Sequence, residues 1–267
     1  MTPMLLVDRV SYSYAGALPV LVGASLHMDS NTVCGILGPN GAGKSTLARL
    51  AAGVFQPSSG RVIVSGADLA STDGPRRAKI VRVAFQTPEH ELFRPTLGAE
   101  IAWEAGLLGA DASAMRDRVE RMLDSCRAKL SLDAHPYDVD PWQRKLFACV
   151  AALAIPGRLV ILDEPTLRLG QEVRARLGEA LRAYSIEGGA VLFVTHDHEF
   201  AASICHTIAV VKGGTIAEAG PAADVLATAA GHAATNIYSF PSYYLDRAVR
   251  RRSQSQAVTA KSRVVSS

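Results

Sequence analysis

The chain has 267 residues, 48% apolar and 20% charged, a composition that excludes a disordered or low-complexity protein and allows a large core. Its net charge of +3 is unevenly placed, because six basic residues and one aspartate within residues 246–267 give +5 and leave −2 for residues 1–245. A slightly acidic body is not expected to bind nucleic acid through basic charge, so we expect no nucleic-acid partner.

The sequence predicts neither a membrane span nor a disulfide framework. The longest apolar run, LFACVAALAI from Leu146, is about half the length that a bilayer-spanning helix needs. Asp8 and Arg9 interrupt the N-terminal apolar run, so we expect no signal peptide. The four cysteines lack metal-type or redox-type spacing and are expected to be buried in a reducing compartment.

The first part of the chain is predicted to alternate strands with one helix. Apolar runs between turn residues predict strands at MLLVDRV, LVGASLHM and TVCGILG, and after the helix KSTLARLAAGV at GRVIVSG and IVRVAFQ. Residues from about 96 to 130 are predicted to be helical, because Met115, Val119, Met122 and Leu123 recur on one helical face.

The second part continues the alternation. A helix, WQRKLFACVAALA, leads into the strand RLVILD, and a second helix, QEVRARLGEALRAY, leads into the strand AVLFVTHD. Two short strands, TIAVV and TIAEAG, follow. Near-continuous apolar strands that alternate with helices indicate an α/β fold with a parallel sheet covered on both faces. No internal repeat is present, so we expect one nucleotide-binding unit.

A glycine-rich loop carries the strongest functional signal. The stretch GPNGAGKST fits the pattern G-x-x-x-x-G-K-[ST] and lies between an apolar strand and a helix. Its glycines let backbone N–H groups surround phosphates, Lys44 is expected to reach the β- and γ-phosphates, and Ser45 offers a hydroxyl to Mg²⁺. The predicted nucleotide-binding residues in this loop are Gly38, Pro39, Asn40, Gly41, Ala42, Gly43, Lys44, Ser45 and Thr46.

Two apolar strands end in polar residues suited to hydrolysis. LVILDEPT places Asp163 at the end of a strand, where its carboxylate can approach Mg²⁺, and Glu164 can deprotonate an attacking water. FVTHD delivers His196 in the same way, close to a γ-phosphate. His196 and His198 are not expected to form a metal site, because no further ligands cluster near them.

These elements, in this order, resemble the ATP-binding subunits of ABC transporters over roughly residues 4–230. The resemblance implies a P-loop NTPase domain over 1–230, with a RecA-like core, an antiparallel β subdomain and a helical subdomain at about 88–155. It also implies ATP and Mg²⁺ as ligands, Tyr14 as the aromatic that stacks on adenine, and Gln86 as a residue linking Mg²⁺ to the membrane partner. Residues 231–267 form a basic extension, expected to be disordered from about residue 247.

A longer segment narrows the resemblance. FQTPEHELF is similar to a segment of energy-coupling factor ATPases, although Glu91 stands where that family usually has glutamine. This resemblance implies a peripheral motor subunit on the cytoplasmic face of the membrane, bound to an integral membrane subunit that imports vitamins or transition-metal ions. The imported substrate is not predicted, because membrane subunits bind it. The basic extension is expected to be a solvated terminus; the alternative is attraction to anionic lipid headgroups.

One segment departs from the family. In ABC ATPases, each ATP lies between one unit's phosphate loop and the other's Leu-Ser-Gly-Gly-Gln signature. When this chain is aligned with the family on the helix that follows the signature, five other residues occupy the signature positions. We call them the signature-aligned stretch: Val139, Asp140, Pro141, Trp142 and Gln143.

Each replacement has a physical consequence. Asp140 places a negative charge where a hydroxyl would face the γ-phosphate, a repulsion of roughly 4 kcal/mol at about 4 Å and an effective dielectric near 20. Pro141 lacks an N–H, and Trp142 adds bulk where glycine would allow close approach. Asp140, Pro141 and Gln143 instead predict a self-capped helix start. Gly170 also stands where the family has an aspartate that organises communication between the two sites.

Three hypotheses follow. The first is a transport ATPase that works in an asymmetric heterodimer, with a second ATPase subunit that has an intact signature. The second is a regulatory subunit that binds ATP without hydrolysing it, although an intact Glu164 and His196 argue against that role. The third is a soluble ABC protein of translation or DNA repair, a class that usually carries two ATPase units or long coiled-coil insertions.

Overall fold

Two β-sheets organise the chain in the computed structural model, which describes residues 3–231. The predictions for the C-terminal extension lie outside these residues. The ten strands of the described range are β1 Leu5–Ser13, β2 Pro19–Met28, β3 Val33–Leu37, β4 Ser59–Val64, β5 Ala67–Asp68, β6 Val81–Ala84, β7 Leu159–Asp163, β8 Ala190–Val194, β9 Thr207–Lys212 and β10 Thr215–Pro221. Its helices are α1 Lys44–Ala51, α2 Gly74–Ile80, α3 Leu97–Leu108, α4 Ala112–Ser125, α5 Pro141–Ala152, α6 Gln171–Ile186, α7 His198–Ile204 and α8 Ala222–Gly231, with a 3₁₀ turn at Pro88–His90.

The larger sheet confirms the predicted parallel core. Its strand order is β10-β9-β3-β8-β7-β6, and β9, β3, β8, β7 and β6 are all parallel. Strands β3, β7 and β8 are buried along their whole length, which explains their continuous apolar sequences. Strand β10 is antiparallel to β9 at the edge. The smaller sheet, β2-β1-β4-β5, is antiparallel throughout.

The predicted helical run from 96 to 130 is too long. Helix α3 ends at Gly109, which has a left-handed φ of 68°, and α4 begins after Asp111, whose carboxylate accepts hydrogen bonds from two N–H groups of the next turn. Helix α4 then ends at Ser125, so residues 126–130 are not helical. The end signals at Gly109 and Asp111 therefore divide the predicted run into two helices.

Helix α5 lies between a helix and the larger sheet. Nine of its residues, Arg144 to Ala152, are buried, and it packs between α4 and the strand β6. Within residues 3–231, no helix combines the length and the apolar character that crossing a membrane requires.

Candidate functional site

The glycine-rich loop takes the predicted strand–loop–helix position between β3 and α1. Gly38, Gly41 and Gly43 have φ values of 144°, 76° and 102°, a region that favours glycine. At Gly38 there is also no room for a side chain, because a Cβ atom there would lie 2.1 Å from the carbonyl oxygen of Val211. The loop is thus shaped by backbone conformations that glycine supplies.

Lys44 folds over this loop. Its Nζ donates to the carbonyl oxygens of Gly38 and Pro39, each at 2.9 Å, and the side chain is buried. Burial lowers the pKa of Lys44, while the carboxylates of Glu164 and Asp163 oppose that shift. The ammonium is therefore held at the loop by carbonyl dipoles and nearby negative charge, in a position to meet an anionic ligand.

Strands β7 and β8 bring the predicted acidic residues and His196 together at the same edge of the sheet. The Glu164 Oε1 atom lies 3.3 Å from His196 Nε2, and Oε2 accepts hydrogen bonds from Thr195 Oγ1 and from the N–H of His196, both at 3.3 Å. Burial raises the pKa of the Glu164 carboxyl, and its interactions with His196 oppose the shift. Glu164 also has a left-handed φ of 51°, which its own N–H bond to the Val194 carbonyl (2.9 Å) helps to hold.

The residues proposed to bind magnesium fit a hard divalent cation. Ser45 Oγ donates to Asp163 Oδ1 at 3.2 Å, so two of the three predicted ligands come together, and the third, Gln86, lines the same cleft as Ser45. Asp163 Oδ2 is buried without a hydrogen-bond partner among the described residues, an arrangement that is unfavourable unless a cation or water satisfies the oxygen. Oxygen ligands of this kind are those that Mg²⁺ prefers.

A cleft of about 640 Å³ collects most of the predicted site. Tyr14 lies at its rim, 38% exposed, with its hydroxyl 3.1 Å from Thr46 Oγ1 and its ring edge-on to Tyr12 and Phe55. The cleft is lined by Tyr14, Val20, Asn40, Gly41, Gly43, Lys44, Ser45, Thr46, Gln86, Glu164, Leu167 and His196. A volume of this order suits a nucleotide-sized ligand.

The signature-aligned stretch forms the predicted capped start of α5. Gln143 Oε1 accepts from the N–H of Asp140 at 3.3 Å in a capping box, and Pro141 is the first helical residue. Asp140 and Pro141 are exposed. Trp142 is half-buried and packs against the hydrophobic core, so only part of its bulk faces solvent.

Two residues that the sequence did not indicate follow this stretch and bind distant segments, and Lys145 reaches the backbone beside the cleft. Arg144 is buried and donates to the carboxylate of Glu89 at 2.6 Å and to the carbonyl of Pro136 at 2.7 Å. Lys145 donates to the carbonyl oxygens of Phe85 and Asp163. The only sequence signal was that two basic residues begin an otherwise apolar helix, a pattern that is also common in exposed helix starts.

Glu91, where the resemblance leads us to expect glutamine, supports the segment before Gln86. Its Oε1 accepts from the N–H of Phe85 at 2.7 Å, and burial raises the pKa of its carboxyl to about 7. Glutamine could accept the same hydrogen bond without titrating.

We expect Glu91→Gln to change how stability depends on pH. Because the folded pKa of Glu91 is above its ordinary value of 4.5, this group favours the folded protein at acid pH and loses that contribution as pH rises through about 7. The stability of Glu91→Gln relative to the parent chain should therefore increase between pH 4.5 and pH 8, by up to about 3 kcal/mol. Urea unfolding at both pH values measures it; a pH-independent difference would contradict the assignment.

Comparison with known proteins places this site in a family. Residues 21–167 match the family described as ABC transporter. An ABC transporter ATP-binding protein of Pyrococcus furiosus is 32% identical over 225 residues, covering 84% of this chain and 82% of the relative. A similar protein of Methanosarcina acetivorans is 29% identical, and the match covers only 37% of its length.

Some similar proteins carry more specific names. An energy-coupling factor transporter ATP-binding protein, EcfA1, of Methanospirillum hungatei is 28% identical over 80% of this chain and 78% of its own. The structure of cbiO1 from Clostridium perfringens, described as part of the ABC transporter complex cbiONQ, aligns with a TM-score of 0.72 and 26% identity, covering 85% of this chain and 92% of that one. The structural similarity confirms the predicted fold.

Proposed function

The chain belongs to the ABC transporter family of ATP-binding proteins, and from this premise we propose that it is the ATP-hydrolysing motor subunit of a membrane importer of the energy-coupling factor type. The observation that carries the proposal is that Lys44, Ser45, Glu164 and His196 line one cleft, with Asp163 hydrogen-bonded to Ser45. The similarity to EcfA1 and cbiO1 supports the importer type.

The geometry supports a division of labour in hydrolysis. The loop N–H groups and Lys44 bind the phosphates of ATP, and Tyr14 at the rim offers a ring face to the adenine. Ser45, Asp163 and Gln86 would hold Mg²⁺, which when bound neutralises charge on the β- and γ-phosphates. Glu164 takes a proton from the attacking water, and its raised pKa suits a general base. His196, half-exposed beside Glu164, can donate to the γ-phosphate and holds the carboxylate in place.

An asymmetric heterodimer accounts for the signature-aligned stretch. The exposed carboxylate of Asp140 would face a partner's ATP with like charge, and Pro141 offers no N–H. Gly170, where an aspartate is expected, is the N-cap of α6 and supplies no side chain to the interface. The residues expected to act on this chain's own ATP are all present in the sequence: Lys44, Ser45, Gln86, Asp163, Glu164 and His196. We infer that its ATP is hydrolysed against an intact signature on a different subunit, while the partner's ATP turns over poorly.

The partners and location follow from this role. The motor subunit would bind an integral membrane subunit at the cytoplasmic face of the membrane, and that subunit would select the vitamin or metal ion. The chain's intact Glu164 and His196 favour this role over an ATP-binding subunit that does not hydrolyse.

Co-purification tests the proposal. We expect the tagged full chain, extracted with mild detergent from cells of its source, to carry a second ATPase subunit with an intact signature and an integral membrane protein. The control is the same purification with the tag alone. Recovery of the chain only with itself, or with ribosomes or DNA-repair factors, would contradict the proposed function.

A further inference from the structure

We propose that Lys145 is a positioning residue for ATP hydrolysis, which holds together the backbone beside Gln86 and the backbone beside Glu164. The inference rests on the proposed function, because it concerns the same site. It assigns to Lys145 no contact with ATP, water or Mg²⁺: the residue acts through the two residues that it positions.

The geometry is specific. Lys145 Nζ donates to the carbonyl oxygen of Phe85 at 2.6 Å and to that of Asp163 at 2.7 Å. Phe85 immediately precedes Gln86, and Asp163 immediately precedes Glu164. One ammonium group therefore fixes the two peptide units that lead into Gln86 and Glu164.

The charge of Lys145 is not explained by packing. The residue is only 3% exposed, at the start of a helix whose next seven residues are buried and apolar. Among residues 3–231, it forms no salt bridge within 4.0 Å, and its charge acts at longer range on the buried Glu91 carboxyl, where it opposes the rise in pKa that burial causes. A buried ammonium is unfavourable unless hydrogen bonds compensate for its lost hydration, and here backbone carbonyls supply them. An apolar side chain would fill the same position without this requirement.

Both peptide units need such support. Glu164 has a left-handed φ of 51°, a conformation that persists only where surrounding contacts hold it. Gln86 is exposed and lies just after the end of β6, so no strand pairing holds it. Lys145 itself belongs to α5, which begins at the signature-aligned stretch. Lys145 thus sets the distance between that stretch, Gln86 and Glu164, and a shift of α5 would reach both residues at once.

Lys145→Met tests this role, because methionine keeps the length and apolar stem but cannot donate. We expect kcat for ATP, measured on the complex with the partner subunits, to fall roughly tenfold or more, with KM changed less than about threefold. We also expect faster hydrogen–deuterium exchange in the purified full chain at peptides covering 85–87 and 163–165, but not in β3. Lys145→Gln, which retains a shorter donor, should recover part of the rate.

The matched control is Arg82→Met, which removes another buried cation, one that pairs with Glu104 and contacts neither carbonyl. It should lower the melting temperature while kcat stays close to that of the parent. An active parent complex with unchanged kcat and exchange in Lys145→Met would overturn the positioning role. If the parent complex does not hydrolyse ATP but Lys145→Met still shows faster exchange at these peptides, the proposed function is overturned. The structural role of Lys145 in holding the two peptide units is then retained. If Lys145→Met does not fold, Lys145→Gln provides both readouts.

Discussion

Glu164→Gln is expected to lower single-turnover ATP hydrolysis by a factor of about 10²–10⁴ while the chain still binds ATP. Glutamine preserves the shape of the side chain and can accept the hydrogen bonds that Thr195 and the N–H of His196 donate to Oε2. It cannot take a proton from water. The loss therefore reports general-base catalysis and not a change in the cleft.

The pH dependence of the parent provides a second readout of the same residue. Because burial raises the pKa of Glu164, the hydrolysis rate should begin to fall on acidification at a higher pH than an unperturbed glutamate would give. Rapid-quench measurements on the complex with its partner, together with the affinity for a fluorescent ATP analogue, separate chemistry from binding. Glu199→Gln, an exposed glutamate on α7 near the same sheet edge, is the matched control and should hydrolyse normally. If Glu164→Gln hydrolysed ATP at the parent rate, a residue other than Glu164 would be the general base.

Restoring the signature is expected to give the isolated chain ATP hydrolysis, which we propose that the parent chain does not perform alone. In the triple variant Asp140→Ser, Pro141→Gly, Trp142→Gly, the repulsion of roughly 4 kcal/mol at Asp140 is removed, which corresponds to about 10³-fold in an equilibrium or rate constant. Serine at the N-cap with Gln143 three residues later retains the capping-box pattern. We expect ATP hydrolysis that increases with the square of the variant's concentration at low concentration.

The triple variant is also expected to be less stable, because two glycines enter the first turn of α5 at about 1 kcal/mol each and the packing of Trp142 is lost. Melting temperature and ATP binding therefore accompany the assay. Asp140→Ser alone removes the charge and keeps Pro141 and Trp142, so its activity should be intermediate. A folded, ATP-binding triple variant that hydrolyses no faster than Lys44→Ala would show that this stretch does not limit the homodimer.

The sequence predicted those parts of the site that are set by local patterns. The phosphate loop requires glycine at left-handed positions such as Gly38, and the strands before Asp163 and His196 are buried on both faces, so both patterns are legible along the chain. The capped start of α5 follows from three neighbouring residues in the same way.

The remainder depends on tertiary contacts. Lys145 and Arg144 bind carbonyls and a carboxylate from distant segments, and no spacing in the sequence indicates those partners. Trp142 packs partly inward because α5 lies against the core, and the alignment indicated only its bulk and not this packing. The break between α3 and α4 at Gly109 was missed because the apolar spacing from Met115 to Leu123 lies wholly within α4 and says nothing about where a preceding helix ends.

We propose that this chain hydrolyses ATP only against the signature of a different subunit. Steady-state ATP hydrolysis by the purified chain alone, measured across protein concentration with Lys44→Ala as the blank, tests it most directly. We expect measurable ATP binding and no turnover above the blank at any concentration. Turnover that rises with the square of protein concentration would contradict the claim, because the signature-aligned stretch would then support catalysis in a homodimer.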